Sequence, residues 1–202
     1  MKSGHSEIVF LLDMTGSMSN LVKDVVGGFN VFVEDQKKQP GTARLSLIVF
    51  NSDVYKTILT DDLSKISPIT EKDYRPAGMT PLLDAVGTTI DDVGARLNVM
   101  EEKDRPEHVI FVIMTDGEEN FSKKFALKEI ADKVKLQQDT YKWNFIFMGA
   151  NIDSFADASK LGIIYDPKFQ NVANFAPDAL GVRYSYTSSS GSTSSYRASS
   201  TS

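Results

Sequence analysis

Four short runs of the chain are apolar almost without interruption: "EIVFLLD" (7–13), "RLSLIVFN" (44–51), "HVIFVIMTD" (108–116) and "WNFIFMG" (143–149). They are rich in β-branched and aromatic residues. Such runs predict strands buried on both faces, as in a parallel sheet. "DVYKTIL" (53–59) alternates more and follows its predecessor after a short Asn-Ser-Asp turn, which predicts a hairpin partner at the sheet edge. Between the runs, apolar residues recur at helical spacing. Leu21, Val22, Val25, Val26, Phe29 and Phe32 mark one face of 17–38. Leu82, Leu83, Val86, Ile90, Val93 and Leu97 do so in 81–100, and Phe125, Ile130, Val134 and Leu136 less cleanly in 122–138. "SFADASKLG" (154–162) predicts a shorter helix ending in a C-cap glycine. "GIIYD" (162–166) predicts a last short strand and "PDALGVRY" (177–184) a last short helix. Strands alternating with helices imply right-handed crossovers. The expected fold is α/β: a doubly wound, mostly parallel central sheet with one antiparallel edge strand and helices on both faces.

The last stretch breaks the pattern. "SYTSSSGSTSSYRASSTS" (185–202) carries one charge, Arg197, and no aliphatic residue larger than Ala198. So little apolar surface does not offset the entropy of ordering, which predicts one domain over 1–184 and a disordered Ser/Thr-rich tail over 185–202. The 202 residues are ample for the core of one domain. A net charge of −5 without a basic block excludes a binder of nucleic acid backbones. The absence of cysteine excludes disulfides and thiolate chemistry. No run approaches the roughly 20 apolar residues of a membrane span. No small-residue cleavage site follows the first apolar run. The expected location is therefore the cytoplasm.

The candidate chemistry lies where two apolar runs end. In "FLLDMTGSM" (10–18) the first strand ends in Asp13, with Thr15 and Ser17 at alternate positions after it. Asp116, in "FVIMTDGEEN", closes another strand. In open α/β sheets, ligands bind outside the carboxyl ends of strands, where the strand order reverses. If the two strands are neighbours there, both carboxylates face one crevice. One must then be protonated, or a cation must sit between them. The hydroxyls of Thr15 and Ser17 favour the cation, since hard oxygen donors suit Mg²⁺ or Mn²⁺.

Asp13-Met-Thr15-Gly-Ser17, then Thr80 in "GMTPLLDA", then Asp116 in "MTDGEEN", resemble the metal-ion-dependent adhesion site of von Willebrand factor type A domains. Thr15 replaces the first serine of that family's Asp-x-Ser-x-Ser pattern and keeps the hydroxyl. The resemblance covers roughly residues 6 to 165, and it extends to the tellurium-resistance-associated group of bacterial or phage intracellular members. It implies a Rossmann-like fold and a divalent cation, Mg²⁺ with Mn²⁺ or Ca²⁺ as alternatives, held by Asp13, Thr15, Ser17, Thr80 and Asp116. Ser17 and Thr15 or Thr80 would bind the metal directly, and the two acids partly through water. Neutral hydroxyls leave the cation's charge poorly quenched. The implied function is therefore a protein-interaction module that engages an Asp or Glu of a partner protein.

Other readings compete. Thr15 or Ser17 alone suits a helix cap. Glu118 and Glu119 suit an acidic helix start, and Asp84 a solvated or capping role. "DMTGS" superficially resembles the nucleophile loop of haloacid dehalogenase-type phosphatases, but Thr15 stands where that chemistry needs a general acid. No Gly-x-x-x-x-Gly-Lys loop and no Gly-x-Ser-x-Gly elbow occurs, and neither His5 nor His108 has a companion at ligand spacing. A Mg²⁺-dependent phosphatase or phosphotransferase is thus the alternative, with a structural protein such as a virion component as a third. Met14, Met18 and Met79 flank the motif, as either an apolar collar or core.

Overall fold

The computed structural model describes residues 1–150 and 153–199. Among these residues six strands form one sheet: β1 (Lys2–Asp13), β2 (Thr42–Phe50), β3 (Tyr55–Asp62), β4 (Pro106–Thr115), β5 (Asn144–Ala150) and β6 (Val172–Phe175). Their order is β3-β2-β1-β4-β5-β6, parallel throughout except for β3, which runs antiparallel to β2 at the edge. Among the described residues five α-helices cover them: α1 (Val22–Lys37), α2 (Leu82–Asn98), α3 (Leu127–Tyr141), α4 (Ser154–Lys160) and α5 (Ala179–Ala198). No helix among the described residues is long and apolar enough to cross a membrane.

The two-residue period of the strands divides the core in two. Ile8, Phe10 and Leu12 of β1 point into one layer with Leu47, Val112 and Met148, beneath α1 and α5. Val9 and Leu11 point into the other with Phe50, Phe111, Ile113 and Phe147, beneath α2, α3 and α4. The uninterrupted apolar runs are thereby explained: β1, β2, β4 and β5 bury both faces. Trp143 and Phe145 pack against Phe111 in the second layer.

Two expectations require correction. Residues 162–166 form no strand; Ile164 and Tyr165 are exposed in a loop. Asn171 holds that loop, donating to the carbonyls of Phe145 and Ile164 and accepting from the Asp166 N–H. The last strand is instead β6, only four residues long.

The larger correction concerns the tail. Residues 185–198 continue the helix begun at Ala179, and α5 lies along α1 and the sheet; 200–202 fall outside the described residues. Poverty in aliphatic side chains does not prevent packing here, because two tyrosines and close backbone approach replace them. Tyr186 is buried and stacks on Phe10 with ring centroids 5.7 Å apart. Tyr196 stacks on Phe169 at 4.0 Å. The buried hydroxyls of Ser185 and Ser189 donate to carbonyls three residues earlier, so their burial leaves no donor stranded. Gln36 of α1 donates to the Ser190 carbonyl, and Arg197 donates back to the Gln36 carbonyl. Asp178 caps the first turn through the Gly181 N–H.

Tyr186 fits only because α1 has a glycine beneath it. A Cβ on Gly28 would lie 2.1 Å from Tyr186 Cδ2, whereas one on Gly27 would meet nothing within 4 Å. Gly28→Ala is therefore expected to destabilise the protein by about 1–3 kcal/mol through overpacking. Gly27→Ala should be neutral or stabilising by up to about 1 kcal/mol, the helix-propensity gain. Urea unfolding of the two variants checks the contrast.

Candidate metal centre

β1 and β4 are adjacent and in register, Leu12 beside Met114, so the residues that follow them emerge together at one end of the sheet. The connections from β1 run to β2 on one side, and β4 lies on the other. This is the point where the strand order reverses. Asp13 is fully buried there. Its Oδ1 accepts the Thr15 N–H at 2.8 Å, and its Oδ2 accepts the Thr115 hydroxyl at 2.6 Å. The Ser17 hydroxyl, on an exposed residue, donates to Asp116 Oδ1 at 2.6 Å and lies 3.1 Å from Thr15 Oγ1. Thr80 approaches from the third side: a Cβ on Gly117 would stand 3.3 Å from its Oγ1. Asp13, Thr15, Ser17 and Asp116 are thus linked by hydrogen bonds, and Thr80 lies beside the Gly117 that follows Asp116.

The turn that carries Thr15 and Ser17 is stitched to its surroundings by backbone bonds. Gly16 N–H donates to the Gly78 carbonyl, Ala77 N–H to the Met14 carbonyl, and Met14 N–H to the Phe50 carbonyl. Tyr74 reaches beneath the site and donates its hydroxyl to the Asp13 carbonyl. Gly78 adopts φ +73, and a Cβ there would lie 2.3 Å from Ser52 Oγ, so the loop needs glycine on both counts.

Several supporting residues carry no signal of their own in the sequence. Asn120 grips Thr80 twice: its Oδ1 accepts the Thr80 N–H, and its own N–H donates to the Thr80 carbonyl. Glu119 accepts from the N–H groups of Leu83, Phe121 and Ser122 and from the Ser122 hydroxyl. The first turn of α2 lacks a side-chain cap of its own, so Glu119 and Ser122 satisfy its free donors from across the loop. Asp84 has a capping role, accepting the N–H groups of Lys123, Lys124 and Phe125. Glu118 is exposed. Met14 and Met18 are core residues, and only Met79 of the three methionines is exposed at the rim.

Electrostatics decide what the crevice can hold. Burial pushes the Asp13 carboxyl up to about 6, with the charge of Asp116 adding to the rise and the bonds from Thr115 and Thr15 opposing it. Burial also raises Asp116, against the Ser17 bond. Among the described residues no lysine, arginine or histidine forms an ion pair with either acid. Two desolvated carboxylates without a cationic side chain fit a bound cation. No group of three or more His, Asp or Glu side chains among the described residues is placed to hold a metal. The donor set here is two carboxylates and three hydroxyls, all hard oxygens suited to a small divalent ion.

The model of the von Willebrand factor type A domain matches residues 7–177. No curated protein sequence matches the chain. Among solved structures, the fold is similar to proximal thread matrix protein 1 from the mussel byssus. One crystal form is 11% identical over 95% of this chain and 46% of that one, with a TM-score of 0.61. A second structure of that protein, described as having a zinc-occupied metal-ion-dependent adhesion site, is 13% identical with the same coverage and TM-score. A von Willebrand factor type A protein from Catenulispora acidiphila is 9% identical over 93% of this chain and 42% of that one, at a TM-score of 0.58. The chain spans less than half the length of these structures, and the likeness concerns the fold.

Proposed function

Because this chain belongs to the von Willebrand factor type A domain family, we propose that it is a metal-dependent protein-interaction module. Asp13, Thr15, Ser17, Thr80 and Asp116 hold a divalent cation, most simply Mg²⁺. The cation supplies an electrophilic point at the surface, to which a partner protein presents an Asp or Glu side chain. The observation that carries this reading is the buried carboxylate pair that forms no ion pair with a protein cation among the described residues and accepts a hydrogen bond from the exposed residue Ser17. Hydroxyls neutralise no charge, so a cation held partly by them keeps affinity for an incoming carboxylate. Catalysis is not part of the proposal. His5 and His108 sit at the beginnings of β1 and β4, at the far end of the sheet from Asp13, and supply no proton-transfer group to the crevice.

The test is capture of partners from extracts of the source cell on immobilised protein. Partners are expected to be retained in Mg²⁺, released by chelator and absent from Thr80→Ala. Retention that is equal in all three conditions would contradict the proposal.

A further inference from the structure

At the opposite pole of the domain, a cavity of about 700 Å³ opens between the C-terminal halves of α2 and α3. Its volume falls within the roughly 300–1,000 Å³ of small-molecule sites. We propose that it binds an apolar organic anion, of the class of a medium-chain fatty carboxylate.

The apolar part comes from Leu97, Val109, Leu136 and Trp143. Trp143 is nearly buried and rests on Phe111, rings 5.4 Å apart and almost parallel, so the indole forms a rigid wall. Leu136 is half exposed, two residues after Val134 and so turned away from the face that Ile130 and Val134 bury. It extends the apolar lining of the cavity out to its rim. Gly94 supplies the space. A Cβ there would meet only Trp143 Cη2, at 3.9 Å, so nothing in the packing demands glycine. A glycine inside a helix costs about 1 kcal/mol relative to alanine, and here it leaves open the volume over the indole.

The charge comes from Arg105 and Lys142. Arg105 donates to the carbonyls of Met100 and Asn98, and Lys142 to the carbonyl of Asp139. Among the described residues neither has a carboxylate partner. Carbonyls offset only part of a positive charge, so both cations remain able to receive an anion. Glu102 and Glu107 also line the cavity, on the same segment as Arg105, and Glu107 accepts the Gly4 N–H. The anionic head therefore belongs on the Lys142 side.

Trp143 is the chain's single tryptophan, so its fluorescence reports on this cavity alone. The full chain is titrated with decanoate below its micelle concentration, and with decanol as the uncharged counterpart. A saturable change in emission is expected with decanoate, with affinity at least about tenfold weaker for decanol and for Lys142→Asn. Gly94→Leu should fold with an unchanged or raised unfolding midpoint and lose the saturable response. Thr80→Ala and added chelator should leave the response as it is, which separates this site from the metal centre. No saturable change in the wild type, or a wild-type response from Gly94→Leu, overturns the site. Equal affinity for decanoate and decanol overturns its assignment to an anion.

Discussion

Tyr186→Ala is expected to lower the unfolding free energy by about 3–5 kcal/mol, the usual loss for a buried aromatic side chain. Domains are stable by only about 5–15 kcal/mol, so this one side chain in a serine-rich helix decides much of the total. For a chain of this length the unfolding midpoint should fall by about 6–20 °C. The reason is geometric. The ring fills the notch over Gly28 and stacks on Phe10, so its removal leaves a hole between α1, α5 and the sheet that neither helix can close without sliding. The hydroxyl behaves differently from the ring. It is buried without a hydrogen-bond partner among the described residues, so Tyr186→Phe should be neutral or stabilising by about 1 kcal/mol. Truncation after Asp178 removes all of α5 and should abolish cooperative unfolding. A truncated chain that melts as the full chain does would show α5 to be dispensable. Circular dichroism melts of the three forms make the comparison.

The second large effect is expected at the metal centre. In the wild type, a cation at 100 times its dissociation constant should add about 2.7 kcal/mol to stability by mass action. Thr80→Ala and Asp13→Asn should forfeit most of that gain while keeping the metal-free fold. The Thr80 backbone is held by Asn120 whatever its side chain, so alanine removes a hydroxyl donor and little else. Asparagine at 13 can still accept the Thr15 N–H, and Thr115 can turn its hydroxyl proton to the Gly117 carbonyl, 3.1 Å away. Asp13→Ala is the poorer test, because it strands the Thr15 N–H in a buried place at about 1–3 kcal/mol. Cation affinity should fall about 100-fold or more in Thr80→Ala and in Asp13→Asn, at least the loss seen when a supporting partner of a metal ligand is removed. Thermal shifts measured with and without Mg²⁺ read both quantities. Equal shifts in variant and wild type would remove these residues from the metal's environment.

What could be read from the sequence follows from how each feature is written there. The doubly buried strands announce themselves because β1, β2, β4 and β5 have no exposed face to encode. Asp13 and Asp116 stand out as acids that end such runs. Thr80 has no comparable local signal and is singled out only by its resemblance to a known family's pattern. Asn120, Glu119, Asp84 and Tyr74 are ordinary polar loop or helix residues whose work lies in hydrogen bonds to segments far along the chain. No local pattern reports such bonds. The strand β6 is too short to show a period, and Asn171, which settles the preceding loop, looks like any turn residue. The disorder expected for 185–202 failed over 185–198 because composition counts aliphatic side chains. It does not count the close approach that serine and glycine allow, nor two tyrosines whose partners, Phe10 and Phe169, lie elsewhere in the chain.

The most direct measurement of the central claim is a titration of the purified full chain with Mn²⁺, followed by electron paramagnetic resonance of the free ion. The account predicts one bound Mn²⁺ per chain, competed off by Mg²⁺, and lost together in Thr80→Ala and Asp13→Asn. No stoichiometric binding, or binding that survives both substitutions, would contradict it.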